Sequence, residues 1–415
     1  MRNFAFLVLM TAACGSDPTP RPVVDVVSPT AGDYGTKVAV TGHHLENQRV
    51  TASGPNGEDV TLFSAPIAPK GTEVVSLGFP FAFPAEGEMK LGDVSLGAFV
   101  PTWKAGPASA LGTASVRDAV WAGSAVVAIV GGASGVAFLV YDGVTARSVP
   151  TDVAGTYGDV ALAALGAKVT ALLFDGVKVD QIALDGTTVT HVPFGAIPSD
   201  VQPVTIGADA APFVVGLKAG SLVRLRAGAP DATIEGTPIT LPGKDPKGFG
   251  FGTAVGGTIV YVWGEHRNTN LVDDTTAFFV SGLAPSETAF PSGFPLGEYD
   301  DDFDSIVMKR VRGAVQAGYC AIQTGAFDKP KKNCGAMTTL DGTSKLAVTD
   351  AAFARSPGGI ASAGCEGSTV QVGVDTKKET ALYPCLDAQA LVYDAAGAPH
   401  VLAVSGSKLY AASRR

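Results

Sequence analysis

The chain has 415 residues, with 30 Lys and Arg against 39 Asp and Glu, for a net charge of −9. An acidic balance with no sustained basic run excludes nucleic-acid binding as a class. An apolar share of 46% with only 17% charged residues excludes a disordered chain. The length admits two or three domains, or one large all-β domain, and 51 Gly with 27 Pro suit many short strands joined by turns.

Residues 1–13 read as an export signal. Met1-Arg2-Asn3 is a short basic start, Phe4 to Met10 is an unbroken apolar run too short to cross a bilayer, and Thr11-Ala12-Ala13 leads into Cys14. This resembles a bacterial lipoprotein signal, although Thr11 stands where that family usually has Leu. The resemblance implies that the Cys14 thiol carries a diacylglyceryl group, which anchors the chain to a lipid bilayer. Gly15 follows, without the Asp that retains lipoproteins at the inner membrane, so the implied destination is the outer membrane of the cell envelope. Residues 14–22 alternate Pro18, Pro20 and Pro22 and read as an extended tether.

Residues 23–101 read as one small β domain. Ser28-Pro29 and Ala31-Gly32 are turn signals, and Val38 and Val40 alternate with Lys37, Ala39 and Thr41 in a strand ending at Gly42. Ser28, Pro29, Gly32, Gly35, Thr36, Thr41 and Gly42 resemble the first hairpin of the IPT/TIG family over Val24 to Leu45. That family implies an immunoglobulin-like β-sandwich used as a spacer or adhesion module.

From residue 102 to 415 a different rhythm holds. Asp118, Asp159 and Asp200 stand 41 residues apart, each before an apolar strand pattern, and further copies begin near Gly252, Asp304, Asp350 and Asp387. A period of roughly 45 residues with three or four strands per unit predicts a β-propeller of about seven blades, because stacked blades bury faces that one sheet cannot. The last unit has room for about three strands, and Ala105 to Val116 is placed to complete it. The uncharged stretch Ala119 to Tyr141 is long enough to span a membrane, but Gly123, Gly131, Gly132 and Gly135 predict two strands and a turn. The repeated Asp residues read as acceptors of backbone N–H groups in tight turns.

Apart from Cys14, the cysteines are Cys320, Cys334, Cys365 and Cys385, an even set that reads as two disulfides in an exported chain. Three pairings are open. Cys320 with Cys334 and Cys365 with Cys385 is preferred, because each pair flanks a short segment able to turn back.

Catalytic signals are sparse. There is no GxSxG elbow, and no histidine stands in a triad context. His43 and His44 fall in the first β domain, His191 and His400 in strand contexts, and His266 in a loop insertion from Glu265 to Thr276. The sharpest local feature is Glu298 to Asp304, where Asp300, Asp301, Asp302 and Asp304 are candidate Ca²⁺ ligands. The preferred reading is a solvated acidic loop, since the mid-loop Gly of an EF-hand is absent. Phe79, Phe81 and Phe83 read as core packing on an edge strand. Lys329-Pro330-Lys331-Lys332 reads as a basic hairpin tip able to meet acidic partners.

The expectation is a lipid-anchored envelope protein that binds or scaffolds without catalysis, with an envelope protein or glycan as partner and no cofactor beyond the Ca²⁺ candidate. The competing expectation is an enzyme acting on polysaccharide in the central funnel. A purely structural envelope component is the third.

Overall fold

The computed structural model describes residues 20–32, 37–45, 50–53, 59–61, 75–78, 88–98 and 100–415. Within the last span, 106–108, 112, 133–134, 144, 228–233, 243–245, 271–272, 300–301, 324–330, 336, 342–344, 347–349, 357–358, 368, 375–376 and 383–384 are excepted. The export signal, Cys14 and the Phe79, Phe81 and Phe83 run lie outside the described residues.

The described residues form strands and one short 3-10 turn, with no α-helix. In the first part, Val23–Ser28 pairs antiparallel with Lys37–His43, which pairs in turn with Val75–Gly78. The strand expected to end at Gly42 thus runs one residue further. Gly42 is dictated by close approach, since any Cβ there would run into the Val23 carbonyl. A second sheet orders Asp59–Thr61, Val50–Ser53, Glu88–Leu91 and Val94–Ala98.

From Ser115 onward the strand order repeats. Among the described residues, seven antiparallel sheets begin with Ser115–Ala122, Asp159–Leu165, Val201–Ala208, Gly248–Thr253, Asp302–Val311, Ala351–Ser356 and Asp387–Tyr393. The first four and the sixth are plain four-stranded meanders. The fifth splits one position between Lys331–Cys334 and Thr338–Leu340, both paired with Ala314–Gln323. The seventh is completed from earlier in the chain, where Trp103–Ala105 and Ser109–Ala110 pair with Lys408–Arg414. Completion starts two residues before the expected Ala105, and Ser115 and Val116 belong to the first sheet instead.

Second strands such as Ala125–Gly132 and Lys168–Phe174 are buried nearly throughout, because each sheet is covered on both faces by its neighbours. Ile129, Phe138, Leu173 and Ile182 fill the space between the first and second sheets. Phe213, Leu222, Tyr261 and Trp263 do so between the third and fourth, and Val262, Phe278, Val315 and Tyr319 between the fourth and fifth. Val126, Leu139, Leu402 and Leu409 join the seventh sheet back to the first. The arrangement is that of a β-propeller. Among the described residues the thinnest seam is between the fifth and sixth sheets, where Ala314, Ala351 and Phe353 are the buried apolar residues, with Leu346 and Ile360 packed against them. There the Phe353 N–H donates to the Arg312 carbonyl at 2.8 Å.

Several expectations are corrected in detail. Residues 119–141 belong to three strands, not two, and no helix among the described residues is long and apolar enough to cross a membrane. Gly252 lies inside the strand Gly248–Thr253 rather than at its start. The segment around His266 is no loop, because Ile259–Asn270 and Asp273–Leu283 extend as one long hairpin. The preferred cysteine pairs are the ones brought together. Cys320 and Cys334 face each other across paired strands with Cα atoms 4.1 Å apart, and Cys365 and Cys385 stand at 5.4 Å.

Candidate functional site

The first strands of neighbouring sheets stand side by side around an axial channel, most loosely between the fifth and the sixth. Two cavities occupy it, of about 360 and 180 Å³, and Arg117, Arg310, Arg312 and Gln389 line both. Arg117 and Gln389 hold these positions because each is the extra residue of a β-bulge, where the register shifts between Val116 and Asp118 and between Ala388 and Ala390. A bulge re-aims the side chain it carries.

Arg310 is the hub. Its Nη2 lies 3.0 Å from Asp118 Oδ2, its Nη1 3.7 Å from Asp159 Oδ1, and Nη1 also donates to the Val160 carbonyl at 2.8 Å. The fifth sheet is thereby tied to the first and second across the channel. The carboxylates are tied sideways as well. Asp118 accepts the N–H of Ala119 at 3.0 Å and that of Leu162 in the next sheet at 2.9 Å, and Asp159 accepts the Val160 N–H at 2.9 Å. The expectation that the repeated Asp residues accept backbone N–H groups holds for these two, but they do so from within strands rather than turns. Burial pushes the Asp159 carboxyl above its ordinary range; Arg310 opposes the rise and the Asp118 charge adds to it. Burial works against the Arg310 charge too, and the two carboxylates outweigh it.

Arg312 sits at the tip of the same hairpin, in a two-residue turn with Gly313 at φ of +51° and +86°. Its guanidinium takes Asp387 in a two-point pair at 2.7 and 2.9 Å. Asp209, at the rim, is held the same way by Arg226 at 2.9 and 2.8 Å.

Arg117 and Arg355 differ from these. Both are exposed in the channel and neither pairs with a carboxylate among the described residues. The Arg117 side chain crosses Gly131, where a Cβ would stand 3.3 Å from its Nε. Arg355 lies over Gly256, where a Cβ would stand 3.0 Å from its Nε, and its Nη2 touches Thr258 Oγ1 at 3.3 Å. Trp121, Phe353 and Tyr393 supply apolar wall to the same cavity. The lining cations of the two cavities are Arg117, Lys309, Arg310, Arg312 and Arg355. The lining acids are Asp118, Asp159 and Asp209. A chain that is acidic as a whole encloses a cationic channel.

The residues singled out from sequence lie elsewhere. Asp300 and Asp301 are outside the described residues. Asp304 is the bulge residue of its strand, and its carboxylate holds Lys332 Nζ at 2.6 Å and accepts the Ser305 hydroxyl at 2.6 Å. Asp304 of the acidic run and Lys332 of the basic spot thus meet each other. His191 is exposed and touches Asp152 at 2.7 Å. His400 is buried, stacked on Trp121 with ring centroids 4.4 Å apart, with Nδ1 2.7 Å from Ser413 Oγ and Nε2 3.5 Å from Asp394 Oδ2. Burial pushes its pKa down, against the pull of Asp394. Sequence reasoning missed Arg117, Arg310, Arg312 and Arg355. For Arg117, Arg310 and Arg355 the available signal was a charged residue within a first-strand pattern; Arg312, in a turn, gave none.

No protein-family model and no curated protein matches the chain, so the IPT/TIG resemblance gains no support from either. Among solved structures, a protein of unknown function from Bacteroides thetaiotaomicron is 13% identical over 96% of this chain and 99% of that one, with a TM-score of 0.33. Streptogramin B lyase is 12% identical over 74% of this chain and 96% of that one, at 0.34. YCF48 bound to D1 peptide is 12% identical over 75% and 94%, at 0.36. The last two are β-propeller proteins. Overlaps this loose carry no argument, and the propeller architecture rests on strand order and sheet packing.

Proposed function

We propose that this chain is a lipid-anchored envelope protein that binds a partner without transforming it. A seven-bladed propeller would be carried on an immunoglobulin-like spacer and tethered to the outer membrane through Cys14. The observation that carries the reading is the commitment of the channel's acids. Asp118 and Asp159 are held by Arg310 and by backbone N–H groups, and Asp209 by Arg226, so among the described residues each carboxylate lining the two cavities is engaged by a cation of the chain itself. What remains available are guanidinium groups and aromatic wall, which suit recognition. The partner is an envelope protein or a glycan.

A test is crosslinking on intact cells expressing the full chain, followed by capture and mass spectrometry, alongside incubation of the purified chain with envelope polysaccharides. Recovery of one stoichiometric partner supports binding; depolymerisation of a polysaccharide overturns it.

The enzyme reading has one observation of its own, the contact series Asp394, His400 and Ser413. Its ring nitrogens are used in the reverse sense of a hydrolase triad, with Nδ1 toward the serine and Nε2 toward the aspartate. Neither His400 nor Ser413 lines the axial cavities. This series fits a structural role.

A further inference from the structure

We infer that the larger axial cavity is a site for a small organic dianion, with two carboxylates gripped by Arg117 and Arg355. The inference rests on the binding reading above and adds to its macromolecular partner a small ligand held in the channel. Three observations converge. First, the channel's other arginines are spent on internal carboxylates, Arg310 on Asp118 and Asp159 and Arg312 on Asp387, whereas Arg117 and Arg355 pair with no carboxylate among the described residues. Second, each of these two side chains is laid over a glycine, Gly131 or Gly256, that leaves room for the guanidinium stem. Gly256 has a φ of +66° and opens the turn against which Arg355 rests. Third, the cavity of about 360 Å³ is of small-molecule size, and Trp121, Phe353 and Tyr393 line it with both arginines, so a carbon skeleton has apolar wall to meet.

The chemistry follows from the donor geometry. A guanidinium presents parallel N–H groups that match the two oxygens of a carboxylate, and such charge-assisted pairs are about twice as strong as neutral hydrogen bonds. Arg117 comes from the first sheet and Arg355 from the sixth, with the seventh between them in the ring. One monoanion engages one of them; a molecule with an acidic group at each end engages both. Water is the competitor, and a narrow cationic channel favours the anion by confining it among fixed charges.

The test is isothermal titration calorimetry of the full chain with succinate and with citrate, against erythritol and inorganic phosphate, repeated on Arg117→Gln, Arg355→Gln and the double variant. Neither arginine carries an ion pair among the described residues, so thermal melts of the variants are expected to match the native chain. Succinate or citrate binding that weakens at least tenfold in each single variant, and falls further in the double variant, is the expected result. Affinity in the native chain is also expected to drop as salt rises from 50 to 500 mM, roughly over Debye lengths from about 14 to 4 Å. Equal affinity in native and double variant overturns the inference, as does binding of phosphate alone or of neither acid. If a variant fails to fold, a salt-independent affinity in the native chain overturns it instead. A partner still captured on cells in any of those cases leaves the binding reading standing and removes only the dianion clamp.

Discussion

Arg310 Nη2 and Asp118 Oδ2 meet at 3.0 Å although 192 residues separate them. The pair is the shortest path between the fifth and first sheets, and it crosses the channel rather than following the ring. Side-chain exposures of 14% and 17% place it largely away from water, where removing one partner leaves the other charge unmatched.

Arg310→Met is therefore expected to cost about 3 kcal/mol in urea unfolding, in the range for breaking a buried pair. The penalty should shrink as pH falls through the carboxylate range, because Asp159, whose carboxyl burial already pushes upward, no longer needs a cation once it is protonated. A penalty that is the same at pH 4 and pH 8 would sink this account.

His400 gives a pH signature of the opposite origin. Its folded pKa is depressed by burial, so below the unfolded value of about 6.5 the unfolded chain takes up a proton that the folded chain resists. Stability should fall as pH drops through that window and be regained above it. The difference in unfolding free energy between the native chain and His400→Gln, measured from pH 5 to 8, isolates this residue, and the native curve should be the steeper.

The same contacts bear on catalysis. If Ser413 is a hydrogen-bond partner and nothing more, a fluorophosphonate probe leaves it unlabelled while Ser413→Ala lowers the melting temperature slightly, by the loss of a bond worth about 1 kcal/mol. Stoichiometric labelling of Ser413 would restore the enzyme reading.

Each disulfide closes a short loop, with separations of 14 and 20 residues. The chain-entropy model gives about 3 kcal/mol for a loop of this length. Cys320→Ser with Cys334→Ser should approach that loss in guanidinium melts, and a reducing agent, which opens both disulfides, should cost the native chain more. An unchanged midpoint under reduction would mean that the strand pairing around Cys320 suffices alone.

Trp103 is 1% exposed, and its indole N–H donates to Glu379 Oε2 at 3.2 Å. Trp103→Ala should cost about 3 to 5 kcal/mol by cavity formation. Because Trp103 lies on a strand that completes the seventh sheet, the loss should come with earlier hydrogen exchange in Lys408–Arg414 than in the second sheet. Uniform exchange would argue that the ring does not depend on this strand.

The fold was legible because its cause is local and repeated. Asp118 and Asp159 marked the period, and apolar runs such as those at 125–132 and 168–174 announced sheets covered on both faces. Cys320 and Cys334 were close enough in sequence for their pairing to be preferred. The channel was not legible, because its determinants are separations and bulges. Nothing in the letters around Arg310 names Asp118 as its partner, and the extra residue that turns Arg117 inward is visible only once Ser115–Ala122 is aligned with Ala125–Gly132. Nor does the sequence around Asp304 name its partner, since Lys332 arrives from another strand.

The pairing of Trp103–Ala105 with Lys408–Arg414 also sets an order of events. In a chain delivered from its amino end, Trp103 is made early and stays uncovered until nearly every later sheet has been delivered. Until then Lys408–Arg414 is either absent or an unguarded edge, of the kind that recruits foreign strands. An uncovered indole therefore marks an unfinished molecule, and a protease or chaperone that reads Trp103 can tell a truncated ring from a completed one without inspecting any other blade.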